Sequence, residues 1–448
     1  MEAYIKLLLE QIRCKKAHPY IREELQGHVE EQTQANMALG MSKEEALEAA
    51  VKDMGSPVEV GIALDKIHRP KAAWGMIAVM ALISLVGVFL HQMMMDKVGE
   101  EAAGSADFAL HTILGFILML VVYHIDYSVI ARYAGALAGA FIGLGVFALF
   151  SGRVANGTIV YAYIGSIRVS IFTIMMLYVP LYGAVIYRYY GLGYKALAKA
   201  VLWMAAPVVV AWHLPNLPLA LMLLVAMSAV LTAAVLLGWF QVSKKKVITA
   251  LWGCVIGLPS IGLAVILGFG GPGNHRLERM RAFLTGSGAQ NYVTNMLRNI
   301  LVESRFVGNS GTELTEYVRD YSSDYIFSYV LSNYGLLWGM LLGCVLAIVL
   351  VKIFMVSFHQ KNQLGMCMGC GCGMIILLNV VLHVGINLGI LPVTGSFLPF
   401  FSAGGSSIIT SYVLMGIILS VYRYKNIYPA RMRLKSPLHL GGYLKKIL

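Results

Sequence analysis

From Ala72 onward, apolar runs alternate with short polar loops, and each run approaches the about 20 residues that cross a bilayer as a helix. The pattern predicts ten spans, roughly 73–95, 107–125, 128–150, 168–187, 194–211, 214–240, 247–270, 324–356, 366–391 and 401–422. Residues 1–70 follow a different rule. Ile5, Leu8, Leu9 and Ile12 mark one apolar face at helical spacing. Ser42-Lys43-Glu44-Glu45 reads as a capping box, in which two side chains satisfy free backbone donors of the first turn. The helix it opens should end near Gly55. Ser56-Pro57-Val58-Glu59 repeats the device, with Pro57 at the first helical position.

Composition sharpens this picture. Of 448 residues, 58% are hydrophobic and 13% are charged. A soluble domain carries about 25% charged residues, so an ordinary soluble enzyme is excluded, as is disorder. Cys254, Cys344, Cys367, Cys370 and Cys372 lie in apolar runs and Cys14 in the polar N-terminus, so no disulfide framework is expected. Met1–Lys16 lacks an uninterrupted apolar stretch and does not read as a signal peptide.

Charge divides unevenly. Residues 1–72 carry net charge −2, and the remainder carries +14. Nucleic acid is a poor explanation, because the basic residues sit between apolar segments. With ten spans, Arg188, Lys195 and Lys199, Lys244-Lys245-Lys246, Lys352 and Lys361, and Arg423 to Lys435 all fall on one side. Basic loops face the cytoplasm, so both termini are expected there and the loop 271–323 outside. The fold class is therefore all-α: a polytopic membrane protein of about ten transmembrane helices (72–435), an N-terminal cytoplasmic helical domain (1–71) and a tail (436–448).

After Asp126 the chain has only six carboxylates: Glu278, Glu303, Glu313, Glu316, Asp320 and Asp324. All fall in the large outer loop or at its junction with the eighth span, among His275, Arg276, Arg279, Arg281, Arg298, Arg305 and Arg319. Guanidinium groups offer a planar fork to phosphate oxygens, which suits an anionic lipid pyrophosphate. Asp324 opens an apolar run, and an ionisable group at such a depth is a candidate functional residue.

Two resemblances follow from motifs. His28-Val29-Glu30-Glu31, Gly40-Met41-Ser42-Lys43-Glu44-Glu45-Ala46 and Met54-Gly55-Ser56-Pro57 resemble the small prefix domains fused to bacterial permeases. Ser323-Asp324-Tyr325-Ile326-Phe327 resembles the Thr-Asp-Phe-Ile-Phe element of the SEDS family (shape, elongation, division and sporulation: FtsW, RodA and SpoVE). The run from Leu391-Pro392-Val393-Thr394-Gly395-Ser396 through Phe401-Ser402-Ala403-Gly404-Gly405-Ser406-Ser407 nearly reproduces that family's long signature. Arg276 and Arg279, before Phe283-Leu284, match its arginines, and Glu316-Tyr317 matches its Glu-aromatic pair.

The resemblance implies a peptidoglycan glycosyltransferase that polymerises lipid II beside a class B penicillin-binding protein, at the membrane and without nucleic acid. It implies Asp324 and Glu316 as catalytic groups, and Arg276, Arg279, Thr394, Ser402, Gly404, Gly405, Ser406 and Ser407 as substrate-binding. No organic cofactor is implied; a divalent cation is compatible with the transfer. The member is divergent. Val179-Pro180-Leu181-Tyr182, Leu214-Pro215-Asn216-Leu217-Pro218-Leu219, Phe283-Leu284-Thr285-Gly286 and Ser332-Asn333 depart from family elements, and His383 replaces an Asn. The lost acids leave a non-catalytic scaffold of a wall-synthesis complex as the first alternative and a transporter of lipid-linked precursors as the second.

Other signals are weaker. Cys367-Met368-Gly369-Cys370-Gly371-Cys372 lacks a companion ligand pair and reads as small residues for close helix packing. Gly268 to Gly273 lacks the strand-loop-helix context of a phosphate loop and reads as a span terminator. His111, His124 and His213 read as packing residues.

Overall fold

The structure is a computed structural model. It describes all residues except 99–102, 152, 156–157, 165–166, 215, 270–277, 279–281, 284, 287–290, 312–313, 319 and 433–448.

Four helices form the N-terminal bundle: α1 (Glu2–Glu10), α2 (His18–Ala38), α3 (Lys43–Asp53) and α4 (Pro57–His68). Ile5 and Leu8 are fully buried, as the helical spacing predicts. The capping box of α3 is complete: the Ser42 amide donates to Glu45 Oε2 at 3.1 Å and the Glu45 amide to Ser42 Oγ at 3.4 Å. The second box is not formed. Pro57 begins α4, but the Ser56 side chain makes no cap hydrogen bond. Proline's fixed φ already sets that first turn.

The membrane helices are α5 (Trp74–Val98), α6 (Ala103–His124), α7 (Tyr127–Ser151), α8 (Ile171–Met176), α9 (Tyr178–Tyr187), α10 (Tyr194–His213), α11 (Leu217–Leu236) and α12 (Lys244–Phe269). Outside them lie α13 (Tyr292–Glu303), α14 (Leu314–Tyr317) and α15 (Ile326–Tyr334). The bundle ends with α16 (Leu336–Phe358), α17 (Gln363–Asn387) and α18 (Gly405–Arg423). Among the described residues, eight helices are long and apolar enough to cross a membrane. The other two expected passages correspond to α12 and to the broken pair α8–α9. That break has a cause in sequence. Pro180 has no N–H for the carbonyl of Met176, four residues earlier, and its ring crowds that carbonyl. The chain turns at Leu177 and restarts.

A second break corrects the eighth span, expected as one helix over 324–356. Gly335 separates α15 from α16 with φ +95°. The outer loop is stitched into the gap: Leu336 N donates to Arg305 O and Leu337 N to Phe306 O, both at 3.0 Å. A Cβ on Gly335 would meet Arg305 O at 2.8 Å and Phe306 O at 2.9 Å. Gly335→Ala should therefore lower the thermal unfolding midpoint in detergent by several degrees. Left-handed φ alone costs a non-glycine residue about 1–2 kcal/mol, and backbone atoms cannot swing aside. An unchanged midpoint would show that the break is dispensable.

Between α7 and α8 the chain forms an antiparallel meander, β1 (Arg153–Ala155), β2 (Thr158–Ile164) and β3 (Ile167–Ser170), with Tyr161 opposite Ser170 and Ile164 opposite Ile167. The β-branched and aromatic residues of this stretch favour strand. The helices otherwise dominate and the fold class is all-α, as expected.

Helices α17 and α18 are the most buried of the long spans, and every residue of the short α9 is buried. The cysteine run packs as small residues should: Gly371 of α17 approaches so closely that a Cβ would sit 3.3 Å from Pro180 Cα. The N-terminal bundle docks at one end of the membrane helices. Lys16 Nζ donates to Asp126 Oδ2 at 2.8 Å, Lys71 N to Arg423 O at 2.9 Å, and His68 Nδ1 lies 2.8 Å from Asn426 O. The loops after α9, α11 and α16 gather at this end too. Gly191 N donates to Trp239 O, Trp239 Nε1 to Gln363 Oε1 and Asn362 Nδ2 to Pro429 O. The basic clusters thus share one end, as their spacing predicts.

Candidate functional site

Asp324 lies at the opposite end. Helix α18 runs from Gly405 to Arg423, and 19 residues span about 28 Å. Its Arg423 end holds the N-terminal bundle, and its Gly405 end abuts the turn 320–325, outside the spanning helices.

That turn is built from backbone bonds and clamped from two sides. Asp324 N donates to Asp320 O at 2.9 Å, and Tyr325 N shares the same carbonyl at 3.2 Å. From α17, Asn387 Nδ2 donates to Asp324 O at 3.0 Å, and its Oδ1 accepts from Ser328 N at 2.9 Å and Ser328 Oγ at 2.8 Å. From the 391–407 segment, Ser402 Oγ donates to Ser323 O at 2.7 Å and accepts from Leu398 N at 2.6 Å. Ala403 N donates to Ser322 O at 2.8 Å. Asn387 and Ser402 are buried. Nearby Phe400 holds φ +70°, a conformation rare for a bulky residue and worth about 1–3 kcal/mol of strain.

The clamps leave the Asp324 carboxylate half-buried, and no described cation pairs with it. Burial pushes its pKa up to about 7, with the Asp320 carboxylate adding to the rise. Desolvation is the larger cause, and no cation among the described residues opposes it. The sign for stability follows. The folded state holds this proton more tightly than the unfolded one, so the contribution falls as pH rises from about 4 to about 7.

The expected substrate-binding residues divide. The hydroxyl of Ser402 is engaged with backbone on both sides and holds the turn. Ser407 Oγ donates to Gly404 O at 2.8 Å and is buried. Gly404 is exposed, and Gly405 and Ser406 are half-exposed at the start of α18. A side chain on Gly405 would collide with the His111 imidazole. Thr394 Oγ1 is buried without a partner among the described residues. Glu316 belongs to α14, with its side chain outside the described part, and Arg276 and Arg279 lie outside the described residues. Of the loop arginines, Arg298 serves structure: Nε donates to Gly389 O at 3.0 Å and the guanidinium stacks 5.5 Å from the Phe283 ring centre.

Neither Asn387 nor Ser328 stands out among the sequence motifs, and His111 packs beside Gly405 as expected of a packing residue. The available signal was an amide at the outer end of a mostly apolar span, five positions before Pro392. As for a metal, Asp324 and Asp320 present oxygen donors of the type that hard divalent cations take. Among the described residues no three His, Cys, Asp or Glu groups converge.

Comparison with known proteins agrees with this architecture. A solved chain described as "Structural coordination of polymerization and crosslinking by a peptidoglycan synthase complex" superposes with TM-score 0.63, 20% identity, and 79% of this chain and 98% of that chain covered. The rod shape determining protein RodA of Thermus thermophilus superposes with TM-score 0.54, 20% identity, and 79% and 97% covered. These likenesses establish the fold. A probable peptidoglycan glycosyltransferase FtsW of Enterococcus hirae is 35% identical over 91 residues, 19% of this chain and 23% of the relative. Stage V sporulation protein E of Bacillus subtilis is 43% identical over 49 residues, 11% of this chain and 13% of the relative. The matched stretches thus span less than a quarter of these curated relatives. The family model described as "Cell cycle protein", covering FtsW, RodA and SpoVE, matches residues 71–427, and with that match over most of its length the chain belongs to the FtsW/RodA/SpoVE family of integral membrane proteins.

Proposed function

We propose that this chain is a peptidoglycan glycosyltransferase that polymerises lipid II into glycan strands at the outer face of the cytoplasmic membrane. The observation that carries the reading is Asp324, a half-buried carboxylate with pKa raised to about 7, on a doubly clamped turn at the end of the bundle away from the basic loops. Family membership and the names of the relatives support the same activity. The 4-hydroxyl of one lipid-linked sugar must lose a proton as it attacks the anomeric carbon of another. Asp324 takes that proton, and a base with pKa near the working pH is well matched to do so. The leaving undecaprenyl pyrophosphate needs cations to meet its charge, a role for Arg276 and Arg279. Exposed Gly404 and half-exposed Ser406 let substrate approach at the start of α18. A class B penicillin-binding protein is the partner that would crosslink the product.

The test is incubation of the purified full chain with fluorescent lipid II and separation of the products by gel. Polymer ladders are expected, and their complete absence, with and without such a partner, would overturn the reading. The substitution of an acidic pair by Ser332-Asn333 favours the alternative of a non-catalytic scaffold, which predicts no ladder.

The base must be ionised, so polymerisation should rise with pH through about 7 and level off above it. A rate flat from pH 5 to 8 would remove Asp324 from that role.

Orientation is the second part of the proposal. Both termini face the cytoplasm because the basic clusters share their end. In intact cells an impermeant maleimide should label Asn309→Cys, an exposed position of the outer loop, and should not label Glu44→Cys beyond the native cysteine background. The reverse pattern would invert the topology.

A further inference from the structure

A cavity of about 500 Å³ opens where the N-terminal bundle meets the membrane helices. We infer that it binds the phosphate headgroup of an anionic phospholipid from the adjoining leaflet, with Arg132 and Arg431 as the cations that hold it. The site is separate from the Asp324 turn, at the other end of α18.

The charges in the cavity are unequally occupied. Asp126 is buried and already served by three donors: Ser128 N at 2.9 Å, Lys16 Nζ at 2.8 Å and Tyr428 OH. Lys16 is spent on that carboxylate. Arg132 and Arg431 also line the cavity, and among the described residues neither guanidinium has a carboxylate partner. Arg431 stacks over Tyr190 at 4.6 Å, which fixes its plane and leaves its edge donors for an acceptor. Both side chains are exposed. Glu23 is the one lining carboxylate with no described partner, and it opposes an anion there. Two guanidiniums against one carboxylate leave the cavity electropositive.

The surroundings select a lipid over a soluble phosphate. Val129 lines the cavity and is also 38% exposed, and Tyr133 and Leu137, one and two turns further along α7, are 48% and 40% exposed. Residues at this spacing form one stripe, which descends from the cavity mouth along a helix long and apolar enough to span the membrane. A headgroup bound by the arginines would lay an acyl chain on this stripe. Basic pockets at the edge of membrane helices are suited to anionic headgroups, and guanidinium forks to phosphate oxygens.

Native mass spectrometry of the delipidated full chain, titrated with phosphatidylglycerol, phosphatidylcholine and glycerol 1-phosphate, tests the site. Phosphatidylglycerol should bind best. Arg132→Gln and Arg431→Gln should each weaken it about fivefold, the effect of one basic residue near an anionic surface. Glu23→Gln should tighten it, a gain that misfolding cannot imitate. Lys195→Gln, at an exposed basic position outside the cavity, should leave it unchanged. Equal binding of phosphatidylcholine, or indifference to both arginine substitutions and to Glu23→Gln, would overturn the proposal. Glycerol 1-phosphate binding as tightly as the lipid would overturn the choice of a lipid ligand.

Discussion

Asp324→Asn should lower the rate of lipid II polymerisation by about 10²–10⁴-fold, the usual worth of a positioned general base, while the protein stays folded. The amide keeps the shape of the side chain, and the clamps on the turn act through the backbone carbonyls of Ser322, Ser323 and Asp324. They do not depend on the carboxylate. Stability should be unchanged or slightly improved near neutral pH. A carboxylate with a raised pKa costs folding free energy once it ionises, and the amide removes that cost. The variant therefore separates chemistry from folding: activity falls while the unfolding midpoint does not. Glu316→Gln should impair polymerisation less. Polymerisation by Asp324→Asn at the unmodified rate would remove Asp324 as the base.

The helical bundle was legible because a bilayer imposes one rule on every span. Some 20 apolar residues and a basic bias on one side of the membrane leave little freedom, and the basic loops do gather at one end. The exceptions have local causes. Pro180 divides the fourth passage through a carbonyl it cannot satisfy, a signal present in the sequence but masked by continuous hydropathy. Gly335 divides the eighth because the backbone of Arg305 and Phe306 crosses over it, a long-range contact that no local pattern encodes. The meander at Arg153–Ser170 lies mostly between expected spans, but its last strand takes up the first residues of the fourth, expected from 168.

At the site, motif reasoning found Asp324 and the 391–407 segment, and the structure brings the two together through Ser402 and Ala403. It could not distinguish a serine that meets substrate from one that holds backbone, because both are small, polar and set among glycines. Ser402 holds backbone on both sides. Asn387 was overlooked for a related reason: its importance lies in whose carbonyl it reaches, which depends on packing across α17 and the 320–325 turn.

Asn387 also carries the second large expected effect. Asn387→Ala removes a donor to Asp324 O and the acceptor for Ser328 N, while Ser328 Oγ keeps the Asn387 backbone carbonyl at 3.1 Å. Each buried group left unmatched costs about 1–3 kcal/mol, so the turn should loosen and the unfolding midpoint should fall. Polymerisation should fall at least tenfold, because a misplaced base loses much of its worth. Reduced stability alone would not identify a positioning role, and the pH profile supplies the discriminating measurement. Burial is the main cause of the raised pKa of Asp324. A loosened turn admits water, so the acid limb of the rate profile should move below pH 7. Asn387→Asp should do the opposite: it keeps an acceptor for Ser328 but adds a further carboxylate beside Asp324 and Asp320, which disfavours ionisation of Asp324. Movement of the limb down in one variant and up in the other would tie Asn387 to the base itself. Two profiles that coincide with the unmodified protein's, whatever their amplitude, would reduce Asn387 to a packing residue.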